Sequence, residues 1–182
     1  MDRFDRAAVL TELADRLRAN GSWTGETHLQ KATYVLQELL MVPLNFEFVF
    51  YKHGPFSFDL REELTSMRAD GFLVQVPQDP YGPILETTES SVRMRNEYAL
   101  LIEANRPKIE FVANRLGDKG IMALEQLSTA LYVRQTTTDL SVDEVANLVN
   151  ELKPHVTVEA ARLAASELDE LASAARAVSV TG

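Results

Sequence analysis

The spacing of apolar and polar positions divides this chain into helical and extended segments. Apolar residues that recur every three or four positions predict eight α-helices. These helices lie near residues 6–20, 26–40, 58–70, 89–105, 107–116, 119–135, 141–153 and 157–177. Alternating apolar residues predict three strands, at residues 46–51, 72–76 and 84–87. We expect Phe46, Phe48 and Phe50 to share the core-facing side of the first strand.

The order of these elements predicts an α+β fold. The last two strands are joined by a loop rich in proline and glycine, residues 77–83, which indicates a β-hairpin. A winged helix typically has this order of elements: helices, one strand, a helix and a hairpin. We therefore interpret residues 1–88 as a winged-helix-like domain. Residues 89–182 are then an all-helical extension, either separate or packed with the first domain as one unit.

A tight corner is predicted between the first strand and the helix that follows it. Gly54 permits positive φ values, and Pro55 fixes φ near −65°. Ser57 is placed to cap the free backbone N–H groups of the helix, and Asp59 complements the positive end of the helix dipole. These residue types are explained by a structural corner alone.

The same corner is also the strongest candidate for a binding site. The residues just before Gly54 are Tyr51, Lys52 and His53. In a binding site, His53 would be the titrating group, and the helix N-terminus would attract an anion. We favour the structural interpretation, in which Lys52 and His53 are solvated. The binding interpretation stays open beside it, as a pocket or as a surface for a partner protein.

Polar residues of the second helix form a second group of candidates. His28 and Lys31 are three residues apart and share a face, whereas Gln30 is expected to point elsewhere. These polar residues of the second helix could meet the corner and form a polar groove with it. We favour the alternative, in which they form the ordinary polar face of an amphipathic helix. The candidates for partner or ligand binding are therefore His28, Lys31, Tyr34, Tyr51, Lys52, His53, Gly54, Pro55, Ser57 and Asp59.

Composition indicates a cytoplasmic globular protein. Apolar residues make up 46% of the 182 positions and charged residues 25%, and there is no cysteine for disulfides or thiolate metal ligands. The N-terminus is charged and lacks the apolar stretch of a signal peptide. No apolar run approaches the roughly 18 residues that a membrane-spanning helix needs.

Catalytic and cofactor-binding signatures are absent from the sequence. There is no GxxxxGK[ST], GxGxxG, GxSxG or HExxH motif, and residues 117–120 (GDKG) indicate a turn between helices. The three histidines, at positions 28, 53 and 155, lack the spacing of zinc ligands. We therefore predict a non-catalytic protein without a metal or cofactor. An enzyme of unknown reaction that uses residues 51–57 is a second alternative.

The distribution of charge argues against nucleic-acid binding, although the predicted fold resembles a winged helix. The net charge is −9, and the helix that would enter the DNA groove carries more acidic than basic residues. The loop at 78–82 contains Asp79 and no lysine or arginine, so Arg93 and Arg95 form the one local basic spot. A DNA-binding transcriptional regulator is therefore the first alternative.

The last helix carries an alanine-rich apolar seam with heptad spacing. The seam consists of Val158, Ala161, Ala165, Leu168, Ala172 and Ala175. Small residues at these positions would allow close approach of another helix. We favour packing against the rest of the same chain, and a homodimer through the C-terminal helices is the alternative.

The chain carries four motifs: LQKxxYxLQ at residues 29–37, YKxGPxS at 51–57, DGFL at 70–73 and LKPH at 152–155. These motifs resemble those of the YwgA-like family, which is related to the Panacea domain of SocA-type antitoxins. The resemblance covers most of the chain and implies a small winged-helix-like α+β domain of interaction type. It also implies a role as an antitoxin-like or regulatory partner in a bacterial toxin–antitoxin or defence locus. The expected partner is a toxin or defence effector.

Overall fold

The computed structural model describes residues 1–79 and 81–180, which form eight helices and four strands. The helices are α1 (Arg3–Ala19), α2 (Glu26–Glu38), α3 (Phe58–Ala69), α4 (Glu89–Glu97), α5 (Ala99–Leu116), α6 (Ile121–Thr136), α7 (Val142–Leu152) and α8 (Val158–Val180). The strands are β1 (Val49–Tyr51), β2 (Gly54–Phe56), β3 (Leu73–Gln78) and β4 (Tyr81–Thr87). Residues 80, 181 and 182, which the predictions placed in the hairpin loop and the extension, lie outside the described residues. The mixture of helices with two antiparallel hairpins confirms the α+β class.

Helix α2 lies at the centre of the fold because helices from both halves of the chain pack around it. It contacts α3 and β2 from the first half and α5 and α6 from the second. Buried apolar residues on both sides of residue 88 belong to one core cluster. Burial of this apolar surface is the main force that holds the two halves together. The polar residues of α2 are therefore covered from several directions.

The chain before α3 forms a hairpin, so the prediction of a single strand followed directly by a helix was wrong. Strand β1 pairs antiparallel with β2, with Val49 opposite Phe56 and Tyr51 opposite Gly54. Gly54 has φ +85°, which lets the chain reverse immediately after Lys52 and His53. Three residues then pair back along β1 before α3 begins.

The predicted hairpin after α3 is confirmed, and its second strand is longer than expected. Strands β3 and β4 pair antiparallel, with Leu73 opposite Thr87 and Val76 opposite Ile84. Strand β4 begins at Tyr81, where the sequence predicted a start at Ile84. The pairing irregularity between Val76 and Gln78 accommodates the proline-containing segment of β3.

The predicted helix break at Pro107 was wrong, because α5 continues through this residue. Pro107 is exposed, so the backbone hydrogen bond that proline removes is lost on the solvent side. Ile102 and Ile109, before and after the proline, are both buried, and their packing stabilises the continuous helix. The break lies instead at Tyr98, whose φ of −99° and ψ of 23° separate α4 from α5.

The alanine seam of α8 packs against other helices of the same chain. It packs against α5, α6 and α7, and Ala161, Ala165 and Leu168 are buried. The seam is therefore covered by the same chain, as we favoured, and is not available for the homodimer considered as the alternative. None of the helices in the described part of the chain is both long and apolar enough to cross a membrane.

Candidate functional site

The corner between β2 and α3 is built as its local sequence predicts. Ser57 is the N-cap of α3, and its Oγ accepts a hydrogen bond from the backbone N–H of Leu60 at 3.1 Å. The side chain of Gln30 on α2 holds the same residue from the other side. Its Nε2 donates to the Ser57 carbonyl at 2.9 Å, and its Oε1 accepts from the Ser57 N–H at 3.0 Å. The cap and the positive φ of Gly54 are confirmed, and the corner is attached to α2.

The favoured interpretation of the second helix, an ordinary solvated polar face, was wrong. Lys31 is only 1% exposed, and its Nζ donates to the Pro55 carbonyl at 2.7 Å. Gln30, expected to point elsewhere, contacts the corner as well. His28 is buried away from the corner, with its Nδ1 2.8 Å from Ser22 Oγ. Gln30 and Lys31 are buried because the hairpin and α6 cover this part of α2.

The carboxylate of Glu125 on α6 joins three of the segments that the sequence motifs define. Its Oε2 lies 3.0 Å from Nζ of Lys153, which follows α7 and is 3% exposed. Its Oε1 lies 2.8 Å from Nδ1 of His53 in the hairpin turn. Lys31 of α2 is close enough for the charge of Glu125 to affect its titration. One carboxylate therefore pairs with the buried Lys153, contacts the hairpin and favours the charged form of Lys31.

Burial weakens proton binding by Lys31. It lowers the pKa of Lys31 from 10.5 to about 8, while the negative charge of Glu125 opposes this shift and the positive charge of Lys153 adds to it. The shift follows from the cost of holding an ammonium group away from water. Lys31 is thus a structural cation inside the fold and not part of an exposed groove.

The titration of Lys31 predicts a specific pH dependence of stability. Between about pH 8 and 10.5 the unfolded chain binds more protons at this lysine than the folded protein does, so its contribution to stability rises with pH. We expect the unfolding free energy of the wild type to gain roughly 2 to 3 kcal/mol relative to Lys31→Met across this window. Urea unfolding of both proteins at several pH values measures the gain. A difference that does not change with pH would contradict it.

Tyr34, another predicted candidate, is part of the interior. Its hydroxyl donates to Oε1 of Gln135 at 2.5 Å, and its ring centroid lies 4.8 Å from that of Phe48. Burial raises the pKa of Tyr34, and the nearby charge of Glu38 adds to the shift. Tyr34 therefore helps to join α2 to α6. Asp59, by contrast, is exposed in the first turn of α3.

An exposed group of three aromatic rings, which we call the aromatic patch, lies beside the hairpin turn. It consists of Tyr51, Phe56 and Phe58, whose ring centroids are 5.2 to 5.8 Å apart. Tyr51 is 45% exposed and Phe58 is 41% exposed. The guanidinium of Arg61 lies 5.2 Å from the Phe58 ring centroid, and Nζ of Lys52 lies 5.9 Å from that of Tyr51.

Tyr51 and Lys52 were predicted as candidates from the sequence, whereas Phe56, Phe58 and Arg61 were not. Phe58 could have been recognised, because Leu60 and the later core residues of α3 leave the first position of the helix facing solvent. Glu125 and Lys153 were also missed. Lys153 lies in the LKPH motif, but no local pattern marks Glu125 as the carboxylate that pairs with it.

The predicted basic spot at Arg93 and Arg95 does not form a site with the corner. Arg95 forms ion pairs with Glu12 and Asp15 and has a largely buried side chain, so the basic spot that would favour DNA binding is reduced to Arg93. Among residues 1–79 and 81–180, no three His, Asp or Glu side chains are grouped so as to hold a metal ion.

An apolar cleft lies away from the corner. It has a volume of about 460 Å³, and its lining includes Trp23, Pro83 and Ile121. None of the ten predicted site residues lines it. The structure therefore brings Lys31, Pro55 and Ser57 together at a packed junction, with Tyr51 and Lys52 at the exposed patch beside it, and none of them in this cleft.

Comparison of the chain with protein-family models and with curated proteins finds no match. The resemblance to the YwgA-like family therefore stays a prediction from the sequence motifs.

Proposed function

We propose that this chain is a non-catalytic protein-interaction module that binds another protein through the aromatic patch. The observation that carries the proposal is the exposure of Tyr51 on the hairpin and of Phe58 at the start of α3, on either side of a corner that is fixed to the core. Tyrosine and arginine are enriched among the residues that dominate binding energy at protein interfaces. The patch combines Tyr51 and two phenylalanines with Arg61.

The attachment of the hairpin supports this proposal because a rigid surface loses less conformational entropy on binding. Lys31 holds the carbonyl of Pro55, and Gln30 holds both backbone groups of Ser57. His53 contacts Glu125 at the turn itself. The aromatic side chains of the patch therefore project from a backbone that is tied to α2 and α6.

The type of partner in this proposal comes from the sequence motifs. They favour an antitoxin-like or regulatory protein of a bacterial toxin–antitoxin or defence locus, acting in the cytoplasm on a toxin or defence effector. A winged-helix-like arrangement of residues 1–88 belongs to the same proposal, supported by the position of the β3–β4 hairpin after α3.

Binding to the product of the adjacent gene tests the proposal. We expect a purified complex in which Tyr51→Ser or Phe58→Ser weakens affinity about 30-fold, as loss of a central aromatic contact does. Because neither side chain belongs to the core, the melting temperature should fall far less than on loss of a fully buried aromatic side chain. Isothermal titration calorimetry and thermal unfolding measure the two effects.

Leu100→Ser is the matched control, because Leu100 is an exposed apolar residue on α5 that has no part in the patch. Full affinity in both aromatic variants would exclude the patch from the interface. Salt-sensitive retention of duplex DNA by the wild type would instead favour the DNA-binding alternative.

A further inference from the structure

The two cations beside the aromatic patch are not neutralised by the protein. Within residues 1–79 and 81–180, no ion pair joins Lys52 or Arg61 to a carboxylate; the salt bridges are formed by other residues. Both side chains lie against the aromatic rings instead. In a chain with a net charge of −9, Lys52 and Arg61 thus place positive charge at an exposed aromatic patch.

The acidic residues nearest along α3 face a different part of the surface. Asp59 and Glu62 line a hollow together with Arg3 and Arg6 of α1. Arg61 lies on the other side of the helix, over Phe56 and Phe58. His53, the remaining basic group of the turn, contacts Glu125. The positive charge that contacts the rings is therefore that of Lys52 and Arg61, while Arg68 and Glu26 line a hollow beside Arg61.

We propose that the aromatic patch binds an acidic segment of a partner protein. An apolar or aromatic side chain of that segment contacts Tyr51, Phe56 and Phe58, and carboxylates on either side of it pair with Lys52 and Arg61. Opposite charges across an interface increase the rate of association and exclude partners of the wrong charge. This inference rests on the proposed function and adds the chemistry of the partner.

Single-stranded nucleic acid also binds to aromatic rings flanked by cations. Its affinity depends on neutralising several phosphates along a positively charged groove, and this chain offers two cations within a negatively charged molecule. The observations therefore favour an acidic peptide, and nucleic acid is an outcome that the experiment must distinguish.

Selection from a displayed library of random 12-residue peptides tests the inference on the full-length protein. We expect the wild type to enrich peptides in which Asp or Glu flank an aromatic residue or leucine. A synthetic peptide of the enriched sequence should bind the Lys52→Glu/Arg61→Glu double variant at least about 30-fold more weakly. Its affinity for the wild type should fall about 10-fold between 0.05 and 0.5 M NaCl.

Arg115→Glu is the matched control, since Arg115 is also exposed and stacks on an aromatic ring, that of Phe111 on α5. It should leave peptide binding unchanged. Enrichment of peptides without acidic residues, or no enrichment over the Tyr51→Ser/Phe58→Ser variant, would overturn the inference. The inference would also be overturned, in favour of nucleic acid, if the protein bound a 20-nucleotide oligodeoxythymidine and this binding required Lys52 and Arg61.

The charge variants separate this inference from the proposed function. If the aromatic variants lose the adjacent-gene product while Lys52→Glu/Arg61→Glu retains it with unchanged salt dependence, the patch is an interface and the partner segment is not acidic. If both sets of variants retain full affinity, the proposed function itself fails at this surface.

Discussion

Replacing Glu125 with glutamine is expected to lower the free energy of unfolding by about 3 kcal/mol or more. Glutamine keeps the shape of the side chain but removes the negative charge beside Lys153, whose side chain is 3% exposed. It also removes the charge that favours protonated Lys31. Two buried ammonium groups would then have only neutral partners, and uncompensated buried charge is among the most destabilising changes. Urea unfolding monitored by circular dichroism measures the loss.

Two comparisons decide whether the loss comes from buried charge. Glu167→Gln removes one partner of the more exposed ion pair with Lys119 and should cost less than about 1 kcal/mol. The Glu125→Leu/Lys153→Met double variant should be more stable than Glu125→Leu, because it no longer leaves Lys153 unpaired. Equal losses in Glu125→Gln and Glu167→Gln would show that Glu125 does not compensate the buried lysines.

Features that depend on a few neighbouring residues were predictable from the sequence. The capping role of Ser57 follows from its position before an amphipathic helix, and the inward positions of that helix follow from its periodicity. The positive φ of Gly54 was predictable because the chain must turn sharply there. These interactions are local, so the local sequence determines them.

Short strands and a helix-internal proline were harder to predict. Strand β2 has three residues and contains Pro55, so it has too few positions to show the alternation that indicates a strand. Pro107 is a strong helix breaker by local preference, yet the buried residues on both sides of it keep α5 continuous. In both cases packing with distant residues decides the local structure.

The buried charges could not be found from the sequence because their partners are far apart along the chain. A lone lysine on an amphipathic helix usually lies on the solvated face, which is what we expected of Lys31. Its burial depends on the Pro55 carbonyl in one hairpin and on Glu125 of α6. The aromatic patch was partly predictable, since Tyr51 lies in the corner motif. Arg61 lies three residues after Phe58 on α3, so that contact is local, whereas its contact with Phe56 depends on how the hairpin packs beside the helix.

Substitution of Gly54 is expected to disrupt the attachment of the hairpin. Gly54 has φ +85°, and a Cβ atom at this position would lie 2.8 Å from Oγ1 of Thr129 on α6. We expect Gly54→Ala to lower the free energy of unfolding by about 2 kcal/mol, from backbone strain and this close contact. Gly54→Val should cost about 3 kcal/mol or more, because a β-branched residue resists positive φ more strongly. Urea unfolding of the three proteins measures both losses.

Gly71 provides a control that separates strain from contact. Its φ is +75°, but no atom lies within 4 Å of the position of an added Cβ, so Gly71→Ala should cost only the strain, about 1 kcal/mol. The excess cost of Gly54→Ala then measures the contact with α6. Thr129→Ala in the Gly54→Ala background should recover part of this excess, since it removes the oxygen that the new methyl group meets. If Gly54→Ala and Gly71→Ala are equally destabilising and Thr129→Ala recovers nothing, the hairpin is not held against α6 at this point. The rigid presentation of the aromatic patch would then lose one of its supports.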